Sequence, residues 1–229
     1  MKQAWIGALA LLLFCTSARA SAPQFNPTQP DNARNMATFG VTSMPVGYYE
    51  YCGRYRDRCA RGPGGTMIEL TRSAWSDIVS VNAKVNTIKP LTDMEIYGVE
   101  EFWEYPMAAA DCEDYALLKR KRLNKMGYPL GALLLTTARD AQGGGHAVLT
   151  VVTTLGDFIL DNLEQKVLLW SEAKIYFLKR QSQRDLNQWV SLVNEDDLLA
   201  SSSANRSPST GAARVGGTFL QRFLSPGRN

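Results

Sequence analysis

The apolar positions of this chain change period several times, and each change marks a different element. Trp5 to Phe14 is an unbroken apolar run behind Lys2, followed by Ala18-Arg19-Ala20. Crossing a bilayer takes about 20 apolar residues, so the run is short for a span. Ala18-Arg19-Ala20 has the small-x-small form of a cleavage site, which predicts a signal peptide over residues 1–20 and a mature start near Ser21. An uncleaved anchor is the alternative, and the cleavage site argues against it. No later segment is apolar enough to cross a membrane, so no stable membrane insertion is expected and the location is expected to be periplasmic or secreted. Residues 21–44 are rich in Pro, Asn, Thr and Gln and read as an extended leader.

Helical spacing then appears. Trp75, Ile78, Val79, Asn82 and Val85 recur on one face behind a cap at Thr71 or Ser73, and Lys89-Pro90 ends that helix. Residues 93–107 are aromatic and acidic and break at Pro106. A second helix is predicted over Asp111 to Met126, with Asp111 as N-cap and Asp114 in the capping-box position. Its acidic residues lead and its basic residues trail, matching the helix dipole. Cys112, Tyr115, Ala116 and Leu123 fall on one face, Gly127 suits the C′ position, and Pro129 prevents continuation.

Beyond Pro129 the composition turns to Leu, Val, Ile and Thr. Strands are predicted at 131–137, 146–153 and 158–162, with two shorter ones at 167–170 and 175–178. Leu155-Gly156-Asp157 reads as a tight turn, and Arg139 to Gly145 as a loop ending in three glycines. From Asn194 the chain is dominated by Ser, Ala, Gly, Pro and Arg, and 194–229 reads as a disordered tail. Helices first and an antiparallel meander after them predict an α+β domain over 45–193, with the N-terminal helices packed on the sheet.

Composition narrows the function. The 229 residues suffice for one domain with a real core, and the net charge of +3 is spread over both signs. That balance gives no case for nucleic acid as a partner. Export changes the cysteine arithmetic: of four cysteines, Cys15 leaves with the signal peptide. Cys52 and Cys59 are close enough to form a disulfide in an oxidising compartment, worth about 2–3 kcal/mol for so short a loop. Cys112 is left over. No cysteine lies in a CxxC pair, so zinc is not expected.

An unpaired cysteine can be simple packing. Cys112, however, opens a helix, where unpaired N–H groups favour a thiolate and can offer an oxyanion donor. His146, the only histidine, follows Gly143-Gly144-Gly145 and starts a strand. Asp161 ends the next strand, where a tight hairpin makes it a cross-strand neighbour of His146 able to fix the ring's tautomer. A structural histidine and a strand-ending aspartate are the plainer alternatives. Together the three make a Cys-His-Asp triad in chain order.

Asp111-Cys112-Glu113-Asp114-Tyr115-Ala116, followed by Lys119-Arg120 and Leu123, resembles the nucleophile helix of the bacterial transglutaminase-like cysteine proteinases, which include periplasmic LapG-type proteases. Gly144 to Leu149 resembles the family's histidine strand and Gly156 to Asn162 its aspartate strand. Tyr97-Gly98, Glu101, Trp103, Pro106, Trp170 and Tyr176 also match, and the resemblance covers about residues 45–195. Ala109-Ala110 departs from it, where glycine is expected. The resemblance implies a papain-like or transglutaminase-like core and acyl transfer through a thioester, with a Cys112 backbone amide as first oxyanion donor. It implies a protein substrate, a surface adhesin in the sharpest form, and a membrane-protein regulator.

Asp111, Glu113 and Asp114 crowd Cys112, and negative neighbours raise a thiol's pKa. Either they point away and serve as caps, or a cation offsets them. The resemblance implies calcium, with Asp111 and Glu113 among its ligands; no organic cofactor is expected. An acyltransferase with an amine acceptor and a non-catalytic binding module of the same fold are the competing functions.

Overall fold

The computed structural model describes residues 34–59, 65 and 67–194. The expected signal peptide, the leader through residue 33, Pro63-Gly64 and the tail beyond 194 lie outside the described residues. In chain order the elements are β1 (Val41–Thr42), α1 (Val46–Arg54), α2 (Arg72–Val85), β2 (Lys89–Pro90), α3 (Asp93–Tyr97), β3 (Ala109–Ala110) and α4 (Cys112–Lys125). The second half supplies β4 (Leu133–Arg139), β5 (Gly145–Thr153), β6 (Gly156–Leu160), β7 (Leu168–Leu169), β8 (Tyr176–Gln181) and β9 (Trp189–Ser191). The architecture is α+β, with α4 packed on β4 and β5 and α2 packed on α4.

The seven-stranded sheet has the order β1-β9-β8-β4-β5-β6-β7 and is antiparallel throughout. The expected meander holds only from β4 to β7. After β7 the chain crosses back, and β8 pairs with the other edge of β4 through a register shift between Thr137 and Ala138. That return fills a free edge on a strand whose backbone polar groups are buried and need partners. A two-residue turn at Thr154-Leu155 joins β5 to β6, with Gly156 at φ 130 immediately after it.

Two helices escape the apolar pattern. α1 has no side-chain cap, and its buried face is Gly47, Tyr48 and Tyr51. α3 has only five residues, too few to show a period, but Thr92 and Glu95 form a capping box and Gly98 closes it at φ 73. α4 runs as expected from its cap at Asp111. It is, however, buried on more than its apolar face: Glu113, Asp114, Lys119 and Arg120 are buried with Tyr115, Ala116 and Leu123. Its charges therefore do more than complement a dipole.

Tyr48 and Trp103 meet edge-on at 5.5 Å, tying α1 to the segment that follows α3. Gly47 makes that approach possible, since a Cβ there would lie 2.4 Å from Trp103 Cδ1. Gly47→Ala should therefore destabilise the protein by about 1–3 kcal/mol through overpacking. A urea melt with an unchanged midpoint would contradict this. Among the described residues no helix is long and apolar enough to cross a membrane.

Candidate active site

β2 and β3 pair in parallel, Lys89 opposite Ala109 and Pro90 opposite Ala110, and deliver the chain to the start of α4. Ala109 and Ala110 adopt strand backbone there, so the position where glycine was expected needs none. Asp111 then caps the helix in an unusual way. Its Oδ1 accepts from the Cys112 amide at 2.7 Å, and its Oδ2 accepts from the Asp93 amide at 3.2 Å. The Cys112 amide, expected as an oxyanion donor, is thus engaged by a carboxylate in this arrangement.

Cys112 is the one free cysteine among the described residues and is partly exposed. Its thiol donates to Glu113 Oε2 at 3.3 Å. Burial, followed by the charges of Glu113 and Asp111, pushes the thiol well above its ordinary range, and the Ala147 amide only partly offsets them. Asp93 and Glu113 are both buried and face each other. The Phe102 amide donates to Asp93 Oδ2, and the Asp93 carboxylate shares a hydrogen bond with the facing Glu113 carboxyl. Burial raises both carboxyls, and the proximity of Asp93 raises Glu113 further. Asp114 accepts from the Glu104 amide at 2.8 Å and is pushed up to about 7, chiefly by burial.

On the opposite wall His146 is the second residue of β5. The register pairs Leu149 with Leu160, which sets Asp161 one step further on, diagonal to His146 and on the same face. His146 Nε2 lies 2.9 Å from Asp161 Oδ1. That oxygen also accepts from the Leu163 amide at 2.9 Å, and Asn86 at the end of α2 donates to the Asp161 carbonyl at 2.8 Å. Burial works to raise the Asp161 carboxyl, but His146, the Leu163 amide and Lys119 outweigh it and hold it below the usual range. With Nε2 turned to Asp161, Nδ1 is the ring nitrogen left to serve as a base. The glycine run before His146 closes the β4–β5 turn, where Asp140 Oδ1 accepts from Gly144 N at 2.8 Å and Gly143 takes φ 86.

Cys112 and His146 line one cleft of about 500 Å³, shared with Asp93, Asp111, Glu113 and Trp103. Asp111, Cys112 and Glu113 also bring one ligand atom each to within 4.8 Å of one another. The site therefore combines a free thiol at a helix start, an oriented imidazole, and two carboxylates converging on the thiol, with Asp93 facing one of them. Asp93 and Asn86 were not found by sequence reasoning. The capping box at Thr92 marked the helix that carries Asp93, while nothing in the pattern singles out Asn86. Away from the cleft, Cys52 and Cys59 are joined by a disulfide at the end of α1.

The family model for bacterial transglutaminase-like cysteine proteinases (BTLCP) matches residues 38–197. No curated protein matches the chain. Three solved structures of LapG from Legionella pneumophila are similar to it. The calcium-bound form is 28% identical, with 46% of this chain and 64% of that one covered and a TM-score of 0.42. The EGTA-treated form is 28% identical, with 46% and 62% covered and a TM-score of 0.41. A third LapG structure is 25% identical, with 56% and 75% covered and a TM-score of 0.44. The chain thus spans less than two thirds of the first two.

Proposed function

The chain belongs to the bacterial transglutaminase-like cysteine proteinases, and we propose that it is an exported peptidase in which Cys112 is the nucleophile, His146 the base and Asp161 its orienting group. The observation that carries this reading is the buried His146–Asp161 hydrogen bond of 2.9 Å on the wall of the cleft that holds the free thiol. His146 Nδ1 takes the proton from Cys112 Sγ, and the thiolate attacks the carbonyl carbon of a peptide bond. A C–S bond forms, the C–N bond breaks, and the amine leaves with the proton from His146. Water, deprotonated by the same imidazole, then attacks the thioester and releases the acid.

The donor set at the helix start fits a calcium ion. Asp111 and Glu113 would supply two ligands, and Asp93 faces Glu113 beside them. Calcium takes six to eight oxygens, so backbone and water complete the shell. When bound, the ion would supply positive charge against the Glu113 and Asp111 carboxylates that raise the thiol. Asp111, which accepts from the Cys112 amide, and Glu113, which accepts from its thiol, are the residues that would hold the ion.

Export rests on the segment over residues 1–20 and on the Cys52–Cys59 bond, which persists in oxidising compartments such as the periplasm. The substrate is a protein, a surface adhesin in the narrowest form of the reading, with a membrane protein as regulator. The competing reading is transfer to an amine by the same triad. Mass spectrometry of a protein substrate incubated with the enzyme and excess primary amine separates the two. We expect fragments with free carboxyl ends; amidated or crosslinked products without fragments would overturn the peptidase reading.

A further inference from the structure

Arg54 and Arg58 have no place in the mechanism above, yet both hold a wall of the cleft. Glu101 and Trp103 line that cleft with Cys112 and His146, and the Trp103 indole donates to Glu101 Oε1 at 2.8 Å. Residues 98–108, which carry them, belong to no helix or strand. No ladder of backbone hydrogen bonds therefore fixes this wall, and side chains must do it. On the inner side, the Phe102 amide donates to Asp93 Oδ2 and the Glu104 amide to Asp114 Oδ1 at 2.8 Å.

The arginines grip the same segment from α1. Arg54 Nη2 donates to the Trp103 carbonyl at 2.8 Å, and its guanidinium lies 4.0 Å from the Phe102 ring centroid. Arg58 Nη1 pairs with Glu104 Oε1 at 2.8 Å, and its guanidinium lies 3.7 Å from the Tyr55 ring centroid. A half-exposed ion pair alone is worth little, but a planar guanidinium that donates and stacks at once also fixes direction. Arg54 ends α1, Arg58 follows in the next turn, and the Cys52–Cys59 disulfide spans both. Neither cysteine lines the cleft.

We propose that Arg54 and Arg58 are positioning residues for substrate binding. Held by the Cys52–Cys59 bond, they fix Phe102 to Tyr105, and with that segment the wall formed by Glu101 and Trp103. The disulfide then governs how tightly the cleft holds a peptide while leaving the chemistry of the thiol alone. The inference rests on this cleft being the peptidase site.

Hydrogen exchange on the disulfide-bonded protein in EGTA tests the positioning. In Arg54→Met, and in the double variant Cys52→Ser/Cys59→Ser, the Phe102 and Glu104 amides should exchange about 10-fold faster than in wild type. The amides of Val148 to Val151 in β5 should be unchanged. Unmoved Phe102 and Glu104 amides would overturn the proposal. So would an equal acceleration in β5, which is what a merely structural role gives. If Arg54→Met does not fold, Arg58→Met takes its place and is read in the same way.

Binding is read in saturating calcium with an N-blocked tetrapeptide chloromethyl ketone, which alkylates the thiol after occupying the cleft. Its half-saturating concentration should rise about 3–10-fold in each variant, with its limiting rate within about 2-fold of wild type. Iodoacetamide, too small to engage the wall, should label Cys112 at the wild-type rate. An unchanged half-saturating concentration, or an equal slowing with iodoacetamide, would overturn the proposal. A wild type whose Cys112 reacts with neither reagent contradicts the peptidase reading, and hydrogen exchange then decides the clamp by itself.

Discussion

Cys112→Ala should leave the protein folded and lower kcat/KM for hydrolysis of a protein substrate by about 10⁴-fold or more. The stability half of this expectation follows from the site. Cys112 is partly exposed, has a small side chain, and its thiol donates one long hydrogen bond, to Glu113. Removing the thiol opens no large cavity and leaves the Asp111 cap on the residue 112 amide in place. The activity half follows from covalent catalysis, which alanine cannot perform. His146→Ala should cost a similar factor, and the double variant should be no worse than either single one, because groups that act as one unit are not additive. Thermal melts and peptide kinetics on the three variants check both halves. Retained hydrolysis in Cys112→Ala would mean that the nucleophile lies elsewhere.

The same cysteine shows how far the chain could be read without coordinates. Its helix was legible because capping, charge order and Gly127 agreed on both ends. That His146 and Asp161 share a face was legible from two strands joined by a tight turn. The turn expected at Leu155-Gly156-Asp157, however, lies at Thr154-Leu155, because Gly156 and Asp157 already pair in β6, and this makes His146 and Asp161 diagonal neighbours. The crossing of β8 was not legible. A six-residue strand looks the same whether it extends a meander or returns to its start, and only the free edge of β4 decides. α1 was hidden because it buries glycine and tyrosines in a single short stretch without a capping side chain. Asp93 was hidden for another reason. It lies 18 residues before Asp111 in the chain, and only the β2–β3 pairing and the capped turn of α3 bring its amide to that carboxylate. The acidic neighbours of Cys112 were visible as a problem for the thiol, and Asp93, which faces Glu113 in the same cleft, was not.

The proposed calcium site carries the second large effect. Calcium at about 100 times its Kd should stabilise the protein by about 2.7 kcal/mol, if the ion binds only the folded state. For a domain of this size that corresponds to a rise in Tm of about 5–10 °C. Addition of excess EGTA should reverse the rise and lower kcat/KM by about 10²-fold, since the thiol then stays pushed up by burial and by Glu113 and Asp111. The sign of the pH effect follows from the same groups. Ligand carboxylates must lose their protons to bind, and burial holds the Asp93 and Glu113 carboxyls above their ordinary values. Apparent calcium affinity should therefore fall as pH is lowered and strengthen as it rises. Glu113→Gln separates this account from general electrostatic stabilisation. Removing one of two facing buried carboxylates relieves their repulsion, so the variant should melt higher than wild type in EGTA. It should also lose most of the calcium-induced rise in Tm, because the ligand is gone. A structural acid cluster with no cation would give the first result without any calcium response in wild type. A calcium site elsewhere on the protein would leave the response of Glu113→Gln intact. Only a cation held beside Cys112 gives a wild type that needs calcium to reach a stability the variant partly reaches without it.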